Sequence, residues 1–554
     1  MSASRLRESE VRIAHSLNRN EEQFVVKRRK DVLQSLARLG IRCSQDKVPN
    51  IALLGSGGGQ RAMVGLLGCL DQLDKAGLLD CVLYLSGVSG STWCMASLYQ
   101  EPDWSTKLQT VKDRIFRRIS GPAVSWSDAY AKMKEYYSEK DYFTLTDVWA
   151  VLVVTTFVKE IDESTLSDQR EQHKKDPFPI FTVIDKQCKQ SGDGDPWFEI
   201  TPRETGYSLT GAFVSSPSFC SQFENGSKVK RQPEVDMLYL QALCGSALAD
   251  GVEIAKFLWE KIKEFFRHLL RVMIEEMERE DPMFGPIQKC SQVLLELADM
   301  NICVLNGQNP TALDRSIRIK LKELSGGKRQ FIFQVEKLIV PDKRDARLNM
   351  NQYTLDVCTY LQSLQLEWPV DISMWMRINV CMALWIWGRN YNFLHNMTDR
   401  AIPPALRTSD TRDYEDAGLL LNSPYLSVLR KERNTDLIIS LDFSEGDPFM
   451  TVRGAAETCR KLNIPFPQVN IPDQDIEKPK DFYVFKGINT PTVIHIPLFN
   501  VVNCGDQLED WRNEYTTNQR AYSTQKITDL MTVAGKNISN NKGRLMQQIR
   551  AIIE

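Results

Sequence analysis

The 554-residue chain lacks a dominant sign of charge, with 69 Lys plus Arg against 71 Asp plus Glu. No global field therefore draws it to nucleic acid or to an acidic membrane surface, and any lipid contact must be local and apolar. It lacks a run of about 18 consecutive apolar residues, which excludes a membrane-spanning helix. The N-terminus, MSASRLRESEVRIAHSLNRNEEQ, has no signal-peptide core, and the C-terminus, RLMQQIRAIIE, has no Cys to prenylate. These absences predict a protein made and kept in the cytosol. The 13 cysteines form no C-x-x-C pair and have no nearby His, so they read as reduced thiols and not as a disulfide framework or zinc site. Histidine is scarce, with five in the whole chain.

With 42% hydrophobic residues, the chain is long enough for a large core and two or more lobes. The segment 21–40 predicts a helix ended by Gly40, its Lys27-Arg28-Arg29-Lys30 cluster reading as a solvated face ahead of a nuclear signal or headgroup patch. VPNIALLG (48–55) is a short apolar run bounded by Pro and Gly, the mark of a buried strand. RAMVGLLGCLDQLDKAG (61–77) then repeats apolar residues at helical spacing, and DCVLYLSG (80–87) is a second buried strand. Further strand-like runs at 179–186, 435–443 and 492–499 predict an α/β fold with a mainly parallel sheet. Between about 245 and 410 the chain turns helical. There Ile254, Leu258, Ile262, Phe265, Leu269 and Met273 share one amphipathic stripe. The interruption reads as a cap over the loop end of the sheet, or as plain core helices.

Two glycine-bearing strand exits carry the chemistry. Gly87-Val88-Ser89-Gly90-Ser91 joins a strand to a helix in the manner of a G-x-S-x-G nucleophile elbow, with Ser91 in place of the last Gly. Gly55-Ser56-Gly57-Gly58-Gly59 follows the first strand at once. Successive glycines let backbone N–H groups face inward, as an oxyanion hole requires, and losing one such donor costs about 3 kcal/mol. Both loops fall at the C-terminal ends of strands, where α/β ligand sites form. Gly57-Gly58-Gly59-Gln60-Arg61-Ala62 also satisfies G-x-G-x-x-A, but no acid ends the second strand to hold a ribose, and no G-K-[ST] closes a phosphate loop. Arg61, taken alone, reads as a surface arginine.

Serine needs a base. Among His15, His173, His268, His395 and His495, only His495 ends a strand-like run after an acidic candidate, so a Ser89–Asp416–His495 triad has the α/β-hydrolase chain order. Against it, His495 alternates within TVIHIPLF as a sheet residue would. A carboxylate acting directly on the serine is the alternative: Asp416, a loop aspartate before Ala-Gly, or Asp442 in LDFS.

LLGSGGGQRAMVG (53–65), YLSGVSGSTWCMASLY (84–99), WFEITPRETG (197–206), DAGLLLNSPY (416–425), DLIISLDFS (436–444) and KLNIPFPQV (461–469) together resemble the cytosolic (group IV) phospholipases A2, relatives of the plant patatins. The resemblance implies one catalytic domain over 1–554, with an α/β core at about 45–245 and 410–510 and a cap or lid insertion at about 245–410 over an apolar funnel. It implies a Ser89–Asp416 dyad, oxyanion donors at Gly58 and Gly59, and Arg61 steadying a phosphate or the developing charge, without metal or cofactor. The implied substrates are glycerophospholipids and lysophospholipids at a membrane or micelle surface, cleaved through an acyl-serine that a lysophospholipid acceptor can also discharge. The implied location is cytoplasmic, with peripheral association to intracellular membranes. About 50 residues precede the glycine loop, too few for the N-terminal calcium-dependent lipid-docking domain of several relatives. That points to the calcium-independent gamma branch, from which the missing prenylation box departs. The alternatives are a non-lipid serine esterase using the triad and a lipid-binding protein without catalysis.

Overall fold

The computed structural model describes residues 9–246, 251–277 and 279–554. The start of the polar N-terminus and residues 247–250, at the opening of the expected insertion, lie outside them. The described residues fold into two compact units, one within Met1–Ala123, Val154–Ala247 and Asn390–Glu554, the other within Val124–Val153 and Leu248–Arg389.

The first unit is built on a mixed sheet. In chain order its strands are β1 (Val11–Ile13), β2 (Ile51–Gly55), β3 (Tyr84–Gly87), β4 (Phe178–Asp185), β5 (Trp197–Ile200), β6 (Glu204–Tyr207) and β7 (Ala212–Ser215). A small hairpin, β8 (Gln222–Glu224) and β9 (Ser227–Lys230), is separate. β10 (Arg389–Tyr391), β11 (Thr411–Asp416), β12 (Leu437–Asp442), β13 (Tyr483–Phe485) and β14 (Thr492–Pro497) complete it. The order is β1-β7-β6-β5-β4-β3-β2-β12-β14-β13, with β11 pairing β4 off this path. The stretch β4-β3-β2-β12-β14 is parallel, and the strands to either side are antiparallel.

The parallel strands are buried along their whole length, which is why IALLG, YLSG and LIISLD read as unbroken apolar runs instead of alternating ones. Their flanks are covered by helices that include α1 (Arg19–Arg38), α2 (Gly59–Lys75) and α3 (Gly90–Tyr99). α2 and α3 leave β2 and β3 directly, so both begin at the same edge of the sheet. The basic cluster of α1 departs from a purely solvated face. Lys27 and Lys30 are exposed, but Arg28 is buried and donates to the Val82 carbonyl at 3.0 and 3.1 Å, capping the loop before β3.

The second unit is helical: α4 (Gly251–Glu276), α5 (Phe284–Leu305), α6 (Thr311–Leu324), α7 (Lys343–Gln362) and α8 (Val370–Leu384), with the helix Trp126–Glu139 added from earlier in the chain. Of the helical segment expected over about 245–410, Leu248–Arg389 lies in a unit that also takes in Val124–Val153, whereas the part from Asn390 onward belongs to the first unit. On α4 the buried face runs through Leu258, Ile262, Phe265 and Leu269, while Ile254 and Met273, at the ends of the stripe, are half-exposed. Phe266 stacks on Trp375 of α8, and Trp126 packs on Phe265 and His268. Among the described residues no helix is long and apolar enough to cross a membrane.

Candidate active site

Ser89 stands between β3 and α3 with φ 52° and ψ −124°, a conformation that a non-glycine residue holds only when its surroundings impose it. Tight packing does so here. A Cβ on Gly90 would lie 1.8 Å from the Gly59 carbonyl oxygen, so the elbow and the glycine loop touch backbone to backbone. The Ser89 carbonyl accepts from the Thr92 N–H at 2.9 Å, starting α3. At 7% exposure the side chain is nearly enclosed.

The glycine loop is held as firmly. Gly58 (φ 156°) and Gly59 (φ 56°) occupy backbone regions that favour glycine. Their N–H groups lie at the start of α2, where the first donors have no intrahelical acceptor and the helix dipole favours negative charge. A Cβ on Gly57 would stand 3.0 Å from the Ser89 Cβ and 2.2 Å from Asn422 Oδ1. The Gly57 N–H donates to the Asn422 carbonyl at 3.2 Å, and Asn422 Nδ2 donates to the Gly57 carbonyl at 3.1 Å. Ser91 Oγ donates to the Ser56 carbonyl at 2.6 Å, which gives the departure from G-x-S-x-G a role.

Asp416 is the last residue of β11 and not, as its sequence suggested, a loop residue. The register explains its position. β5 pairs one edge of β4, and the other edge pairs β3 up to Gly87↔Phe181 and then β11 from Asp416↔Val183. β3 and β11 therefore meet head to head on one edge, with Gly87 and Asp416 two residues apart along β4, about 7 Å at the strand rise. Asp416 is fully buried, and its Oδ1 accepts from the Gly418 N–H at 2.8 Å. Cys244 reports the same neighbourhood. Burial drives its thiol pKa far up, the Asp416 charge adds to this, and the Thr92 hydroxyl bonds to it. The Asp416 carboxylate thus lies near the first turn of α3, which begins at the elbow.

Arg61 is buried at 3% exposure, unlike a surface arginine. Its Nε donates to the Phe443 carbonyl at 2.8 Å and its Nη1 to the Tyr515 carbonyl at 2.6 Å. Nη2 has no partner among the described residues and lies 3.0 Å from where a Gly58 Cβ would stand. Burial lowers the guanidinium pKa, with Glu445 at 3.9 Å opposing, but arginine stays charged. A cavity of about 40 Å³ beside it is lined by Asp442, Ser444, Glu445, Pro448 and Tyr515.

The two rival bases lie elsewhere. His495, on β14, is three strands from β3, about 14 Å at the usual interstrand spacing. Its Nε2 donates to the Pro448 carbonyl at 2.7 Å and stands 3.6 Å from Asp442. Burial depresses its pKa despite the pull of that carboxylate. The structure therefore does not bring Ser89, Asp416 and His495 together. Asp442 accepts from Ser56 Oγ at 3.3 Å, the Ser444 N–H at 2.8 Å and Thr451 Oγ1 at 2.8 Å, bracing the base of the glycine loop. Asn422 was missed by sequence reasoning, because an Asn ahead of Ser-Pro reads as an ordinary turn residue.

A family model described as a lysophospholipase catalytic domain matches residues 51–277. The chain is 33% identical to cytosolic phospholipase A2 gamma of Mus musculus, across 97% of this chain and 92% of that one. The Homo sapiens gamma protein is 32% identical, across 98% and 96%. Cytosolic phospholipase A2 epsilon of Homo sapiens is 30% identical across 98% of this chain and 61% of its own. The solved structure of human GIVD cytosolic phospholipase A2 matches the fold with a TM-score of 0.66 at 22% identity, covering 99% of this chain and 66% of that one. A likeness of a third of all residues along nearly the whole of both chains means that this chain belongs to the cytosolic phospholipase A2 family.

Proposed function

We propose that the protein is a calcium-independent phospholipase A2 and lysophospholipase that works through Ser89 and Asp416. Asp416 takes the Ser89 hydroxyl proton as Oγ bonds to the acyl carbon of a glycerophospholipid. The resulting oxyanion is met by the Gly58 and Gly59 N–H groups. When the ester C–O bond breaks, the departing glycerol oxygen receives the proton from Asp416. Water then attacks the acyl-serine, giving its proton to Asp416 and releasing the fatty acid as Ser89 is reprotonated. A lysophospholipid hydroxyl replacing that water makes the same site a transacylase.

The observation that carries this reading is the head-to-head meeting of β3 and β11 on one edge of β4, which delivers a carboxylate to the elbow where a histidine would otherwise be needed. Arg61, beneath Gly58, adds positive charge beside the developing oxyanion or a substrate phosphate. Leu419 and Leu420, partly exposed just after Asp416, offer the local apolar contact that a neutral protein needs at a lipid surface. The likeness to proteins named cytosolic phospholipase A2 gamma, across nearly the full length of both chains, supports a cytosolic phospholipase A2 and a cytoplasmic location; calcium independence and peripheral contact with intracellular membranes belong to the proposal.

The test is product analysis on defined diacyl- and lysophospholipids with the wild type and Ser89→Ala. Release of fatty acid that vanishes in the variant and persists under excess chelator supports the reading. A strict calcium requirement, or equal turnover of monomeric and micellar substrate, contradicts the corresponding part of it.

A further inference from the structure

Asn422 touches the glycine loop from a distant part of the sequence, with its backbone carbonyl and its side-chain amide nitrogen both bonded to Gly57. Its carbonyl receives the Gly57 N–H at 3.2 Å, and its Nδ2 donates to the Gly57 carbonyl at 3.1 Å. The same Nδ2 donates to Ser444 Oγ at 2.9 Å, and the Ser444 N–H is fixed by Asp442. Gly57 itself is wedged, with no room for a side chain between Asn422 and the Ser89 Cβ.

This arrangement decides which glycines can act. The Gly57 donor is consumed by Asn422 and is removed from the list of oxyanion donors. In a trans peptide the C=O of one residue and the N–H of the next point in opposite directions. Holding the Gly57 carbonyl against Asn422 therefore turns the Gly58 N–H away from it. Were this peptide to flip, a carbonyl oxygen would replace that donor and repel the oxyanion it should receive.

We infer that Asn422 is a positioning residue that locks the Gly57–Gly58 peptide and so sets the Gly58 donor of the oxyanion hole. The inference rests on the reading of Ser89 as nucleophile and Gly58 as donor. It places the hydrolytic loop under the control of the same segment that carries Asp416, because only five residues separate positions 416 and 422.

The experiment compares Asn422→Ala and Asn422→Asp with wild type and Ser89→Ala on a diacylphospholipid in mixed micelles. Thermal unfolding and the rate at which a fluorophosphonate labels Ser89 are measured in parallel. A donor displaced by about 1 Å costs on the order of 10²-fold, so kcat should fall by about that factor with KM within about twofold. Labelling should slow in step, because the phosphonyl oxygen uses the same donors. The Asp variant keeps the size of Asn but loses the donor and faces the Gly57 carbonyl with negative charge, so it should be at least as impaired as Ala. Should Ala unfold, the isosteric Asp variant decides. A kcat within about threefold of wild type in a folded variant, or a loss confined to KM, overturns the inference. If Ser89→Ala is inactive while the Asn422 variants are unimpaired, this inference alone fails. If Ser89→Ala keeps its activity, the reading beneath it fails too.

Discussion

At the scale of single residues, the proposed mechanism rests on a carboxylate in place of imidazole. Ser89→Ala and Asp416→Asn should each lower kcat by about 10⁴-fold or more while leaving the protein folded, as checked by fatty-acid release beside thermal unfolding. His495→Ala should do the reverse. Its ring is buried, with its pKa pushed down by desolvation, and is bonded to Pro448 at a place three strands from β3, so the variant should lose stability and keep most of its activity per folded molecule. An inactive but fully stable His495→Ala would restore the triad. The elbow and the glycine loop were legible because each is a short continuous string whose residue types are dictated by local backbone geometry. Asn422 was not legible, because its work is done on a residue 365 positions away and nothing in the turn around it announces a partner.

Among elements, the contact that matters is between two loops and leaves no space for a methyl group. Gly90→Ala places a Cβ 1.8 Å from a backbone oxygen of the glycine loop, so elbow and loop must separate. A shift of about 1 Å is enough to predict a fall of roughly 10²-fold in kcat, with a lowered Tm. Near-wild-type kinetics for this variant would mean that the two loops are not held in register by contact. The parallel strands were readable as apolar runs, but β11 was not. TRDYED carries three charged residues in its first five, and it is buried because Arg412 pairs with Asp185 at 2.7 Å and Tyr414 OH lies against Tyr207 OH. A hydrophobicity pattern counts such residues as exposed, since the compensating partner comes from another strand. The same blindness hid the antiparallel strands β5, β6 and β7, where Glu199 and Glu204 sit inside the sheet.

Across the whole molecule, one buried ionic cluster ties together the three chain segments that make up the first unit. Arg433 Nε donates to Glu21 of α1 at 2.9 Å, and its Nη2 donates to Glu199 of β5 at 2.7 Å. Arg430 reaches Glu199 at 2.7 Å, and Tyr84 OH of β3 donates to Glu21 at 3.0 Å. The balanced charge total of the sequence gives no hint of this knot, because the members lie far apart in the chain. Burial alone would raise the Glu199 pKa, but Arg430 and Arg433 outweigh it and bring it down to about 2. A carboxylate depressed in the fold adds stability that is complete above its unfolded value of about 4.3 and is lost as pH falls toward 2. Arg433→Met leaves one buried guanidinium for two buried carboxylates, a loss that typically costs about 3–5 kcal/mol. Urea unfolding should show that deficit at pH 7, and the gap between wild type and variant should narrow as pH drops from about 4 toward 2, because acid removes the charge that Arg433 compensates. A deficit below about 1 kcal/mol, or one that stays constant through that window, would mean that the cluster fills space without holding the segments that bring β3, β4 and β11 together.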